Sequence, residues 1–164
     1  MRVDEVWTSD NPVADAHRAH LERWVREEGC RRAGAHDVTV TIESDGEATT
    51  VVVDRRVPLE VGGPAGKVLG GGIRVVQTER WTPPGADGVS RADISVAFPG
   101  APVTMTAAAL IVPTEGGSRE TVTGEVKVKV PVVGRAVEPE VVRQIVRSLR
   151  TEMATGLEWL AAGH

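Results

Sequence analysis

Residues 121–160, TVTGEVKVKVPVVGRAVEPEVVRQIVRSLRTEMATGLEWL, contain the change of period that decides the fold. Up to residue 130 the pattern alternates. Val122, Val126, Val128 and Val130 share one phase, and Thr123, Glu125, Lys127 and Lys129 take the other. That is a strand with one buried face and one wet face. Beyond Pro131 the apolar spacing becomes threes and fours, through Val141, Val142, Ile145, Leu149, Met153, Leu157 and Leu160. This spacing predicts a helix from Val137 to about Leu160 that lies on a core. At 1.5 Å per residue such a helix exceeds about 30 Å, enough to cross a small domain. Arg143, Arg147 and Arg150 fall on another face, which the interspersed acids mark as solvated.

Working towards the N-terminus, three further strands precede this one. VTMTAAALIV carries Val103, Met105, Ala107, Ala109 and Ile111 in one phase. VSRADISVAF carries Ala92, Ile94, Val96 and Phe98, and IRVVQTERW ends at Pro83-Pro84. Residues 36–44, HDVTVTIES, put Val38, Val40 and Ile42 on one side. Asp45-Gly46 then turns the chain into TTVVVDRRV, forming a hairpin. Arg2 to Thr8 reads as a first strand whose phase is open, because Val6 breaks the Val3–Glu5 parity. Pro12 suits a first helical turn, and the spacing of Val13, Ala16, His20 and Trp24 predicts one helix to about Glu28, or two short ones, with Gly29 as the stop. The order is strand, short helices, about six antiparallel strands, long helix. It predicts an α+β fold in which the helix covers the apolar face of an antiparallel sheet.

Composition agrees with one soluble domain over residues 1–164. Its 19 basic and 23 acidic residues give a formal net charge of −4, which offers no electrostatic reason to bind nucleic acid. The core is aliphatic, with four Trp, one Phe and no Tyr. The single Cys30 excludes an internal disulfide and suits a reducing compartment. Acidic Asp4 and Glu5 do not fit a secretory leader, and no run approaches a membrane span. A cytoplasmic protein without integral membrane association is expected. Monomer and homodimer are not distinguished.

Three stretches, VVQTERW at 75–81, GEVKVKVPVVGRAVE at 124–138 and the helix end Glu158-Trp159-Leu160, carry a resemblance over nearly the full length. The chain resembles the START/Bet v 1-like (SRPBCC) superfamily and is similar, within it, to the actinobacterial uncharacterised family DUF2505. The resemblance implies the helix-grip fold: a curved seven-stranded antiparallel sheet wrapped around a long C-terminal helix, with two short helices after strand 1. It also implies a cavity between sheet and helix. Members of the superfamily hold lipids, sterols or polyketides, and some are cyclases. It supplies no catalytic residues to carry over.

The expected cavity wall is Val96, Phe98, Met105, Ala107, Ala109, Val126 and Val128, facing Ile145, Leu149, Met153 and Leu157. The partner expected is a small apolar molecule. A polyketide cyclase/aromatase-like enzyme using the same cavity, or an interaction module with a solid core, is the alternative. The glycine-rich connection 58–72 lacks P-loop spacing, and Lys67 is followed by Val68. Gly66, Lys67, Leu69 and Gly71 are instead candidates for a gate. No cofactor is expected. His17 and His20, near Asp15, Cys30 and His36, lack zinc-site spacing, so no metal is expected. No G-x-S-x-G elbow is present, and no base stands beside Cys30 in sequence. Asp54, Glu79 and Asp93 are acids on strands, each expected to face solvent or pair with an arginine.

Overall fold

The computed structural model describes residues 1–58, 72–131 and 134–164. Alternating, β-branched segments form seven strands: β1 (Arg2–Ser9), β2 (His36–Ser44), β3 (Thr49–Val57), β4 (Ile73–Thr82), β5 (Ser90–Ala97), β6 (Val103–Thr114) and β7 (Gly117–Val128). They make one antiparallel sheet in the order β1-β7-β6-β5-β4-β3-β2. Between β1 and β2 lie α1 (Val13–His20) and α2 (Arg23–Arg32), and the chain closes with α3 (Gly134–Ala161).

The phase of β1, open in the sequence, is decided by burial. Val3 is buried while Val6 stands outward and exposed. The long helix begins three residues before the expected start, and its 28 residues span about 42 Å. Two contacts fix that start. The Gly134 N–H donates to the Val130 carbonyl, and the Glu138 carboxylate accepts from the Val128 N–H at 3.0 Å.

Gly29 does not stop a helix; α2 continues to Arg32. A side chain there would meet the Glu152 backbone on α3, its Cβ 3.1 Å from Cα. The glycine is therefore needed for the close approach of two helices, and its cost in helix propensity is accepted for that contact. The helix α3 lies closest to α2, α1, β7 and β1. Two clusters fill the interior. One gathers Trp81, Ile111 and Leu160 beneath α1 and α2, and the other gathers Val75, Phe98, Met105 and Val141 at the opposite end.

Gly124 pairs with Ala107 across β6 and β7. A Cβ there would lie 2.6 Å from the Ala107 Cβ and 2.7 Å from the Thr106 carbonyl oxygen. Neither atom can swing away, so the strands would have to part. We expect Gly124→Ala to destabilise the protein by about 1–3 kcal/mol in urea unfolding. Gly116→Ala, which meets no atom within 4 Å, should change stability by no more than about 0.5 kcal/mol.

Candidate functional site

Strand alternation sends polar as well as apolar side chains to the inner face. On β4 the inward phase is Ile73, Val75, Gln77, Glu79 and Trp81; on β3 it includes Val51, Val53 and Arg55. On β7 it includes Ser118, Glu120, Val122 and Val126. Arg55, Glu79 and Glu120 are each less than a tenth exposed.

A charge buried in this way requires a partner. Arg26 on α2 reaches down to Glu79, whose carboxylate also accepts from the Gln77 amide and, at 2.6 Å, from the Trp81 indole N–H. Burial pushes the Glu79 carboxyl up, but Arg26 leads the interactions that outweigh it, and the group is held below its ordinary range. Arg55 donates to Gln77 at 3.0 Å and to Glu152 on α3 at 3.2 Å. His20 stacks on Trp81, the ring centroids 4.2 Å apart, with Nε2 2.9 Å from Glu120. Arg26 approaches His20 Nδ1 at 3.3 Å. A guanidinium only donates, so Nδ1 accepts and the ring proton sits on Nε2, donating to Glu120.

Two chambers lie against this polar wall. The first has about 60 Å³ open to the centre of a water molecule and is lined by His20, Arg26, Glu79, Trp81 and Glu120 together with apolar residues of α1, α2 and α3. The second, about 80 Å³, runs under the start of α3 between Val57, Ile73, Phe98 and Val141. At about 10–15 Å³ per water centre, each would hold several waters. Gln77, Ile94, Val122, Leu149 and Glu152 line both chambers and mark where they adjoin.

Val96, Phe98, Met105, Ala107 and Ile145 line the second chamber, Met153 and Leu157 line the first, and Leu149 lines both. Ala109, Val126 and Val128 line neither. Ala109 is buried in the cluster with Trp81 and Ile111. Val126 is fully buried opposite Met105, and the longer methionine reaches the chamber. Val128, at the strand end, packs half-buried against the other cluster, that of Val75, Phe98 and Met105. The candidate gate Gly66, Lys67, Leu69 and Gly71 lies outside the described residues.

The remaining candidates separate. Asp54 pairs outward with Arg74, Asp93 is exposed, and Glu79 faces inward. His17 Nδ1 lies 2.8 Å from the Ser90 hydroxyl, which itself donates to the Thr82 carbonyl, so His17 is the donor. Among the described residues no group of three or more His, Cys, Asp or Glu is placed to hold a metal ion. Cys30 is fully buried, and burial, followed by the Glu152 charge, pushes its thiol up to about 12. Sequence reading passed over Arg26, Arg55, Gln77 and Glu120. For the three strand residues the signal was present, since each shares the phase of neighbouring buried valines or Trp81.

The family described as "Protein of unknown function (DUF2505)" matches residues 6–160. No curated protein sequence matches the chain. Among solved structures, a protein from Thermus thermophilus superposes with a TM-score of 0.68 at 13% identity, covering 100% of both chains. One from Rhodobacter sphaeroides has a TM-score of 0.61 at 12% identity, covering 99% of this chain and 93% of the other. The di-domain ARO/CYC StfQ from the steffimycin biosynthetic pathway has a TM-score of 0.58 at 14% identity, over 98% of this chain and 52% of its own. At these identities the likeness establishes the fold alone. Among the described residues, no helix is long and apolar enough to cross a membrane.

Burial, then the neighbouring His20, lowers the affinity of His17 for a proton below that of an unfolded histidine at 6.5. The unfolded chain therefore binds the proton first, and stability is lost as pH falls below about 6.5. His17→Gln should flatten that loss in urea unfolding measured between about pH 7.5 and 5. Cys30 should resist iodoacetamide at about pH 8 in the native protein and react once it is unfolded.

Proposed function

Because the chain belongs to the DUF2505 family and has the helix-grip fold, we propose that it binds a small apolar molecule in the cavity between its sheet and its long helix. The observation that carries this reading is the pair of adjoining chambers under α3. Interiors ordinarily pack to crystal density, and space left by packing defects is small and scattered. Here the space is grouped along one helix, and the second chamber has a mainly aliphatic wall that includes Val57, Ile73, Val96, Phe98 and Met105. Moving hydrocarbon from water onto such a wall contributes about 25 cal/mol per Å² before ordering costs. The polar groups beside it supply orientation.

A second reading is proton transfer on a molecule held in the first chamber. It is favoured by His20, which lines that chamber and is hydrogen-bonded to a buried carboxylate. Binding comes first in either case. The solid-core interaction module has less support, because the clusters leave room between them.

The test is to fill each chamber separately. N-phenyl-1-naphthylamine, an uncharged apolar fluorophore, should bind the native protein with enhanced emission. Met105→Trp in the second chamber or Met153→Trp in the first should weaken it about tenfold or more, with the circular dichroism spectrum unchanged. Unaltered binding in both variants would overturn this placement.

A further inference from the structure

Among the described residues, three polar atoms on the inner wall are buried and lack a hydrogen-bond partner: Arg26 Nε, Arg55 Nη1 and Glu120 Oε1. Their side chains are no more than 9% exposed. Arg26 and Glu120 line the first chamber, and Arg55 lines the second. Buried polar groups are nearly always satisfied, so three unmet atoms on residues that line the two chambers point to what an occupant would bring. Arg26 and Arg55 ask for acceptors. Glu120 asks for a donor. A hydroxyl meets both needs in the first chamber, and any oxygen acceptor meets the need in the second.

The charges narrow the choice further. Arg26 is paired with Glu79 and Arg55 with Glu152, while Glu120 accepts a hydrogen bond from His20 Nε2. Both guanidiniums are therefore already neutralised, and three carboxylates line the two chambers, Glu79 and Glu120 from the sheet and Glu152 from α3. An anionic head group would enter without an unpaired cation to receive it, and would lose its hydration in a confined space. A pure hydrocarbon would leave all three polar atoms unmet. Resting on the proposed cavity function, we infer that the ligand is an uncharged, oxygenated apolar molecule whose hydroxyl is held at Glu120 and Arg26, with a further oxygen acceptor for Arg55. Anionic amphiphiles such as fatty acids are discriminated against.

Three molecules with one ring system test this by displacing N-phenyl-1-naphthylamine at neutral pH: naphthalene, 2-naphthol and 2-naphthoate. We expect 2-naphthol to bind about tenfold or more tightly than either of the others, as for a hydrogen bond to a buried charged group. Transfer from water by hydrophobicity alone would favour naphthalene instead. In Glu120→Gln the amide oxygen keeps the His20 bond and its NH₂ faces the chamber. The preference for 2-naphthol over naphthalene should then fall about fivefold or more. If naphthalene binds the native protein as well as 2-naphthol does, the vacant atoms are served by water and the inference is overturned. If 2-naphthoate binds most tightly, the site is an anion site and the inference is overturned in the opposite direction. Both results leave the cavity reading standing. Failure of the fluorophore and all three naphthalenes to bind would instead remove the cavity reading, and this inference with it.

Discussion

Under the long helix, a single carboxylate organises much of the inner wall. Glu79 is held at once by Arg26, Gln77 and Trp81. Through Arg26 it joins α2 to the middle of the sheet, and through Trp81 it sets the ring on which His20 stacks. A buried ion pair adds little net stability, because desolvation consumes most of the Coulomb attraction. What it imposes is geometry. The guanidinium and carboxylate have to meet, so α2 has to sit where Arg26 can reach β4. Removing either partner would leave the other charge buried alone, which is far costlier than never having buried the pair.

The cavity follows from that polar wall. A helix covering pure hydrocarbon settles until side chains interdigitate. Here α3 is drawn towards α1, α2 and the β1–β7 edge, where glycine at position 29 allows backbone to approach backbone. Over β3 and β4 it is met by long polar side chains, with Arg55 spanning to Glu152. These act as struts as well as ion pairs. The space beneath the helix is divided where Gln77 and Glu152 meet the apolar Ile94, Val122 and Leu149. One chamber is thereby rich in hydrogen-bonding groups, and the other is largely aliphatic.

Much of the fold was legible because alternation and helical spacing are local. Val122 and Val126 on β7, Ala92 and Val96 on β5, and Val40 and Ile42 on β2 all face inward in the phase that their sequence spacing predicts. The long helix was legible for the same reason. The Gly29 stop was misread because the same residue serves either to end a helix or to admit a neighbouring one. Only the position of Glu152 on α3 separates those uses.

The cavity wall shows the same division. Spacing alone determined that Val96, Phe98, Met105 and Ala107 share one face, and that Leu149, Met153 and Leu157 share another. Arg55, Glu79 and Glu120 stand in the inward phases of their strands. The sequence reading nevertheless passed over Arg55 and Glu120 and expected Glu79 to face solvent or pair with an arginine, because an inward charge is readable as a site only when its partner is known. Those partners, Glu152, Arg26 and His20, lie 53 to 100 residues away along the chain. Periodicity says which way a side chain points. Whether it then touches a neighbour, spans a gap or lines a void depends on the distance between layers, and only the packing of α2 and α3 on the sheet decided that.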